Sequence, residues 1–287
     1  MKKEFNLFKT IIIFLVIVDL IIWWFILFPK SISDFELYFL KVGQGDSSLA
    51  ILPDRKNNYI KVLIDGGPIN NQLSFNLEKI LNIDRYIDLV FISHPEVDHF
   101  GGLIDVFKNY KIGAVLYNGE EGSGGNWEEL NSLINSKKIA KIELASGNLV
   151  NYDTSSIRVL NSANFSSNTN NSALVLALNS NGIKTLFTGD IDGATELKIA
   201  GSENIAADIL KVSHHGSKYS SNLDFLKEVS PKVSIIEVGK NSYGHPAKEV
   251  LERLNFIGSK IFNTYDQGMI KIIREGSNLK IFSYPDF

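Results

Sequence analysis

The chain of 287 residues is long enough for one large domain, and its 44% hydrophobic and 21% charged residues exclude a disordered protein. Its net charge of −3 excludes a wholly basic nucleic-acid-binding domain, so any affinity for a polyanion must come from a local patch or a metal. The absence of cysteine excludes a disulfide scaffold, a thiolate zinc site and a cysteine nucleophile.

The first predicted element is an apolar helix over residues 11–28, in which Asp19 is the only polar residue. As a helix this run spans roughly 27 Å, close to the hydrocarbon thickness of a bilayer. Lysines precede it, and the positive-inside bias places that end in the cytoplasm. We therefore predict a cytoplasmic N-terminus (residues 1–10), a transmembrane anchor (residues 11–29) and a single-pass membrane protein with an extracytoplasmic catalytic domain. A cleaved signal peptide is the alternative, although no small-residue cleavage site follows the run.

Residues 34–287 are predicted to form one continuous domain, because no Pro-rich, Ser-rich or charged linker divides them. Short apolar runs predict strands at Phe35–Val42, Ser47–Leu52, Ile60–Ile64, Leu89–Ser93, Ala114–Tyr117, Ile157–Leu160, Ala173–Leu178, Thr185–Thr188, Ile209–Val212, Val233–Val238, Lys260–Asn263, Met269–Arg274 and Leu279–Ser283. Helical periodicity predicts helices at Leu73–Leu81, Gly102–Lys108, Asn126–Asn135, Asp192–Ala200, Asn222–Glu228 and Ala247–Leu254. This alternation indicates a layered α/β domain with mixed sheets.

The densest chemical signal is the segment SHPEVDHFGG at residues 93–102, which follows a predicted strand. It places four potential metal ligands within six residues: His94, Glu96, Asp98 and His99. A turn at the end of a strand can direct several side chains into one space, and imidazole with carboxylate suits zinc or manganese. A polar loop capped by Asp98 is the alternative, but four ligands after an apolar strand favour a metal site.

Three later segments also place polar residues just after a predicted strand or in a turn. They contain Asp190, the adjacent His214 and His215, and His245. With the segment at 93–102 there are four such segments, and three of them contain all five histidines of the chain. This clustering favours a shared site for more than one metal ion.

The order of these motifs over about residues 35–270 resembles the metallo-β-lactamase superfamily, whose H-x-H-x-D-H signature follows a strand. Within it, the chain looks most like the branch found as the soluble domain of the ComEC competence DNA-uptake channel and its free-standing relatives. The segments that carry the resemblance are GQGDS at 43–47, LIDGG at 63–67, SHPEVDHFGG at 93–102, NNSALVL at 170–176, FTGD at 187–190, LKVSHHGS at 210–217 and NSYGHP at 241–246. The resemblance implies a four-layer αββα sandwich and a hydrolase that uses one or two divalent ions, zinc or manganese.

Carried over position by position, the resemblance implies roles for individual residues. The implied metal ligands are His94, Glu96, Asp98, His99, Asp190 and His245. The implied catalytic residues are Asp98, His214 and His215. The residues implied to orient the ligands are Asp46, Asp65 and Asn171.

Four positions depart from the family pattern. Glu96 stands where the superfamily has a second histidine, and residues 170–172 stand in the region of the usual middle histidine ligand. These two changes weaken one metal position. Lys41 and Tyr265 each replace an aspartate of the family motifs, and they bear on the substrate more than on the metal ligands.

The resemblance implies a membrane-anchored phosphodiesterase or nuclease that uses a metal-activated water and is linked to DNA uptake. We expect Asp98 to orient the water, and His214 or His215 to protonate the leaving oxygen. Two alternatives stay open: a hydrolase of another phosphoester, such as a cell-envelope phosphodiester, and a non-catalytic metal-bound module of a larger apparatus. The expected partners are a phosphodiester substrate such as DNA, and a membrane through residues 11–28; no protein partner is indicated.

Overall fold

The computed structural model describes residues 2–27, 35–56, 58–162, 169–276 and 278–285. The chain divides into two compact units, Met1–Ser33 and Asp34–Phe287.

The first unit contains helix α1, Lys2–Leu27, whose side chains between Ile11 and Trp24 are mostly exposed. This helix covers the predicted apolar run as far as Leu27, whereas Phe28 lies outside the described residues. Within the described ranges, no helix is both long enough and apolar enough to span a membrane. The transmembrane anchor therefore stays a prediction.

The described residues of the second unit form fifteen strands. In chain order they are β1 (Glu36–Phe39), β2 (Ser48–Pro53), β3 (Tyr59–Ile64), β4 (Tyr86–Ile92), β5 (Lys111–Tyr117), β6 (Ala140–Glu143), β7 (Leu149–Tyr152), β8 (Ser155–Asn161), β9 (Val175–Ser180), β10 (Ile183–Phe187), β11 (Ile209–Lys211), β12 (Val233–Ile236), β13 (Lys260–Asn263), β14 (Met269–Glu275) and β15 (Asn278–Tyr284). One sheet has eight strands in the order β15-β14-β1-β2-β3-β4-β5-β6, and the other has seven in the order β13-β12-β11-β10-β9-β8-β7.

The helices lie between these strands in the chain. They are α2 (Gln72–Leu81), α3 (Val97–Phe100), α4 (Leu103–Asn109), α5 (Gly125–Ser136), α6 (Gly193–Ala200), α7 (Leu223–Val229), α8 (Lys248–Phe256) and α9 (Thr264–Gln267). Short 3-10 helices occur at Thr169–Ser172 and Ser213–Gly216.

The apolar core lies between the two sheets. Phe39, Val62 and Phe91 of the first sheet pack in one buried cluster with Leu176 and Ile235 of the second. A second cluster joins the outer face of the second sheet to α6, α7 and α8. Alternate residues of the first sheet are also buried on its other face, as are the apolar sides of α2, α4 and α5. This arrangement is an αββα sandwich with two mixed sheets.

Parallel pairing positions the polar motifs. Strands β3 and β4 are parallel to each other in the first sheet, and β10, β11 and β12 are parallel in the second. Because parallel strands end at the same edge of their sheet, the segments that follow them are brought together. These segments carry Asp65, the 93–102 turn, Asp190 and the two adjacent histidines.

Each predicted strand and helix of this domain corresponds to an observed element, with ends that differ by a few residues. The sequence analysis missed β6 and β7, which are outer strands at one end of each sheet. It also missed α3 and α9, because a single helical turn has no apolar periodicity.

Candidate metal centre

The turn after β4 is held by Asp65, which follows β3. The Ser93 backbone N–H and hydroxyl each donate a 2.7 Å hydrogen bond to the Asp65 carboxylate. The same carboxylate lies 3.0 Å from Nδ1 of His99, which is fully buried. Asp65 therefore orients His99 and leaves its Nε2 atom directed into the site.

His94 is the second buried histidine of this turn. Its Nδ1 lies 3.0 Å from the Ser93 hydroxyl, and its ring centroid is 4.1 Å from that of His99. Burial, followed by the neighbouring charge of His99, lowers the pKa of His94 to about 3. Glu96 is half exposed, with its carboxylate 4.0 Å from Nε2 of His94, and therefore lies at the edge of the site.

His214 and His215 lie in the 3-10 helix that follows β11. Both have left-handed backbone conformations, with φ of 51° and 52°. Nδ1 of His215 lies 2.9 Å from the Glu237 carbonyl and 3.1 Å from Asp46 Oδ1. These contacts turn Nε2 of His215 towards the carboxylates of Asp98 and Asp190, 3.4 Å from each.

Glu196 of α6 secures the backbone around these two histidines. Its carboxylate accepts hydrogen bonds from the Ser213 hydroxyl (2.6 Å), the Ser221 N–H (2.8 Å) and the Asn222 N–H (2.7 Å). Glu196 is fully buried, and burial raises its pKa to about 7 against the effect of these donors. The carboxylate thus ties both ends of the histidine-bearing segment to one helix.

Four side chains converge at the centre, and we call Asp98, His99, Asp190 and His215 the closed cluster. One ligand atom of each lies within 4.8 Å of the others. Asp46, Asp65 and His99 form a second such group. The structure therefore brings together residues that the sequence analysis assigned to separate motifs.

The donor atoms of this cluster fit a divalent cation. Among the described residues, the buried Nε2 atoms of His94, His99 and His215 and Oδ1 of Asp190 have no hydrogen-bond partner. Buried polar atoms are normally satisfied, and imidazole nitrogens with carboxylate oxygens are the ligands that zinc or manganese would take. Each of these histidines has its Nδ1 occupied, as in known metal sites.

The electrostatics of the closed cluster are those of opposite charges held in a buried space. Burial opposes charge on His215, but Asp190 and then Asp46 raise its pKa to about 10. The same balance holds the pKa of His99 well above its ordinary value. Burial also opposes charge on Asp98, yet the imidazole of His215, 3.4 Å away, and the charge of His99 hold its pKa below the usual range. A divalent cation would compete with the protons on these nitrogens.

His214 and His245 lie next to each other beside the closed cluster, and we call them the open pair. Their ring centroids are 5.7 Å apart, both side chains are half buried, and Nε2 of His214 lies 3.7 Å from Asp190. Burial and then the charge of His214 lower the pKa of His245. His245 follows β12, precedes a cis proline, and belongs to neither of the two ligand groups.

Asn171 has its contacts elsewhere. Its amide donates a 3.0 Å hydrogen bond to Asp192, and it accepts a 3.2 Å hydrogen bond from the Asp192 N–H. Asp192 is the N-cap of α6. In the structure Asn171 therefore braces a helix end, whereas Asp46 and Asp65 contact the histidines as expected for orienting residues.

Two buried charged residues behind the cluster were not assigned to the site from the sequence. Lys211 pairs with Asp46, lies 3.7 Å from Asp190, and donates a 3.1 Å hydrogen bond to the Gly189 carbonyl. Burial disfavours its charge, but Asp46 and Asp190 raise its pKa to about 12. Glu237 accepts from Ser47 and Ser48 behind Asp46, and burial, followed by the charge of Asp46, raises its pKa to about 8.

The sequence carried only a weak signal for these two residues. Glu237 directly follows β12, but the strand predicted at Val233–Val238 runs past it, so the rule that identified Asp190 did not single it out. Lys211 precedes the two adjacent histidines, a position equally consistent with a solvated strand flank or with added positive potential. The structure supports neither exposure nor contact with a substrate: Lys211 is a buried counter-charge to two carboxylates.

The sequence profile of the Metallo-beta-lactamase superfamily matches residues 60–239. This match covers more than half of the chain and includes the whole closed cluster. The chain belongs to the metallo-β-lactamase superfamily, and the fold and the ligand set described above define it as a metal-dependent hydrolase of that class.

Among curated proteins, ComE operon protein 3 of Bacillus subtilis (strain 168) is 29% identical over 281 residues, which cover 91% of this chain and 36% of that protein. Competence protein ComA of Neisseria gonorrhoeae is 33% identical over 105 residues, which cover 36% of this chain and 15% of that protein. The chain thus spans only a minor part of the length of these relatives.

Among solved structures, the metallo-beta-lactamase fold protein YhfI from Bacillus subtilis gives a TM-score of 0.54 at 11% sequence identity. The alignment covers 87% of this chain and 100% of that protein. At this identity the likeness shows the fold.

Proposed function

We propose that the chain is a phosphodiesterase that cleaves nucleic acid, with DNA as its substrate and a role in DNA uptake. The observation that carries the proposal is the closed cluster. Its buried imidazole nitrogens point at two carboxylates, and among the described residues these nitrogens have no hydrogen-bond partner. The similarity to a competence protein supports DNA as the substrate.

The roles we propose for individual residues follow from how exposed each side chain is. A divalent cation held here would supply a water whose pKa is lowered from 15.7 towards about 7. Asp98 is half buried and carries an ionised carboxylate, so it can orient that water. His215 is buried, and its Nδ1 is already engaged with Glu237 and Asp46. His214 is the more accessible of the two histidines and is our candidate for protonating the leaving oxygen.

The same proposal includes attachment to a membrane through residues 11–28, with the hydrolase domain outside the cytoplasm. Helix α1 exposes a nearly continuous apolar surface from Ile11 to Trp24, interrupted by Asp19. An apolar surface of this extent is unfavourable in water and calls for an apolar environment. Extraction of cell membranes at alkaline pH tests the attachment: the protein should stay with the membranes, and release into the supernatant contradicts it. Proteolysis of intact cells tests the side on which the domain lies.

The activity is tested on the purified full chain by measuring metal content and the hydrolysis of single-stranded DNA and bis(p-nitrophenyl) phosphate with Mn²⁺ or Zn²⁺. We expect one or two ions per chain and DNA cleavage that is lost in Asp98→Ala. Cleavage of the small ester without cleavage of DNA would instead favour another phosphodiester, such as one in the cell envelope. Bound metal without turnover of any ester would favour a non-catalytic module.

A further inference from the structure

A groove runs from the open pair along the surface of the hydrolase domain. Its larger part has a volume of about 520 Å³, and its polar and aromatic lining residues are Lys41, Asn70, Gln72, Phe75, Lys240 and Tyr265. A smaller part of about 180 Å³ is lined by Asn241, His245 and Pro246. The two parts share Lys240 and Tyr265, so the groove leads directly from a predicted metal ligand to a second binding space.

The groove is locally positive in a chain that is acidic overall. Lys41 and Lys240 line the larger part, and none of its lining residues is acidic. Lys41 donates a 3.0 Å hydrogen bond to the Pro285 carbonyl, and Lys240 is exposed without an ion pair in the described part of the chain. The one acidic residue lining the smaller part is Asp266, whose carboxylate accepts a 2.8 Å hydrogen bond from Asn263. Two ammonium groups are therefore available to an anion.

Exposed aromatic rings border the same space. Phe75 is 42% exposed and Tyr265 is 54% exposed, and both line the larger part. Tyr243 is 74% exposed, and its ring centroid is 5.8 Å from that of His245. Exposed apolar side chains gathered at one surface mark a site of interaction with a ligand or a partner. Aromatic faces interleaved with lysines are the arrangement that binds single-stranded nucleic acid, since bases stack on the rings and phosphates meet the ammonium groups.

We propose that this groove binds nucleotide units of a single-stranded nucleic acid on one side of the bond that is cut. The inference rests on the proposed function for the position of the cut, but the groove can be tested by binding alone. A duplex is the poorer ligand, because its bases are stacked on each other and cannot reach Phe75 or Tyr265. The residues of the groove set the substrate, while the closed cluster performs the chemistry.

Binding is measured by the fluorescence anisotropy of a short labelled oligodeoxythymidylate, with the full chain in an Asp98→Ala background that stops turnover. Tyr265→Ala should weaken binding about 5- to 100-fold, the range measured for loss of one stacked base. Lys240→Gln should weaken binding and reduce the slope of log K against log salt by about 0.7, the value for one phosphate contact to a single strand. The matched controls are Phe256→Ala and Lys198→Gln, two exposed residues of α8 and α6 outside the groove, and these should bind as the parent does.

Hydrolysis of bis(p-nitrophenyl) phosphate separates this inference from the proposed function. In the otherwise unmodified chain, Tyr265→Ala and Lys240→Gln should lower the cleavage of the oligonucleotide more than the turnover of this small ester, which is too short to occupy the groove. Oligonucleotide binding that depends on both residues upholds the groove even if the parent chain hydrolyses no ester. Binding that is absent in the parent, unchanged in both variants, or equally tight for duplex DNA overturns it.

Discussion

The closed cluster and the open pair use the same kinds of side chain in different surroundings. In the closed cluster, His99 and His215 are fully buried, and each has its Nδ1 fixed by a carboxylate. In the open pair, His214 and His245 are half buried, and neither has a carboxylate on its Nδ1 in the described residues. We therefore expect the closed cluster to be preorganised by the fold for a metal ion, and the open pair to hold a ligand more loosely.

This difference follows from where the supporting residues come from. The closed cluster is braced by Asp46, Asp65 and Lys211, which lie at strand ends between the two sheets. The open pair follows β11 and β12, and its His245 borders the groove; the buried carboxylate of Asp190 lies 3.7 Å from Nε2 of His214. We therefore expect changes in the closed cluster to affect metal binding and folding, and changes in the open pair to affect mainly turnover.

The largest effect is expected for Asp190→Ala, because this carboxylate faces histidines of both groups. Loss of the shared ligand should reduce hydrolysis to background and remove bound metal, since the lowered pKa of the bound water is lost with the ion. Asp192→Ala, two residues away at the N-cap of α6, is the matched control and should keep its metal. Metal content by mass spectrometry and turnover of the small ester measure both. Full metal loading in Asp190→Ala would show that Asp190 is not a ligand shared by the closed cluster and the open pair.

Lys211→Met should lower the free energy of unfolding by about 3–5 kcal/mol, the cost of leaving a buried charge without its partner. Asp46 and Asp190 would then face each other without the ammonium group that lies close to both. Urea denaturation of the metal-free protein measures the change, and Lys211→Arg is the control that keeps the charge. A loss below about 1 kcal/mol, as for a surface ion pair, would show that Lys211 does not act as a buried counter-charge.

Glu196, which holds the backbone around His214 and His215, makes the free energy of unfolding depend on pH. Its pKa is 4.5 in an unfolded chain and about 7 in the structure. Between these values the folded protein keeps a proton that the unfolded chain releases, so the free energy of unfolding should fall as pH rises through this window, by about 3 kcal/mol in all. Denaturation curves across this pH range should show that fall in the parent chain and not in Glu196→Gln. Glu249→Gln, an exposed site on α8, should retain the parent's pH dependence.

The smallest effect is expected for His245→Ala. Since His245 lies outside the two ligand groups, its loss should lower turnover about 10- to 100-fold while about one ion per chain remains bound. Titration with Mn²⁺ during turnover should show that the second ion binds more weakly than in the parent. A loss as complete as that of Asp190→Ala would show that His245 is as necessary for turnover as the residues of the closed cluster.

The sequence was most informative where a polar residue follows an apolar strand. That rule located the strands, Asp190 and the histidine motifs, because apolar runs report burial and their ends report the sheet edge. It was least informative for contacts between distant residues. Burial of Lys211 depends on Asp46, which lies far away in the chain, and the pairing of Asn171 with Asp192 depends on how a loop meets a helix end. Local patterns do not encode such partners.

Lys211 also has a consequence for the order of events in the life of the protein. Its ammonium group is a permanent counter-ion that the chain carries with it, so part of the negative charge of Asp46 and Asp190 is balanced as soon as the sheets form. Folding and metal binding can then be separate steps, so that the domain folds first and binds its metal ion afterwards.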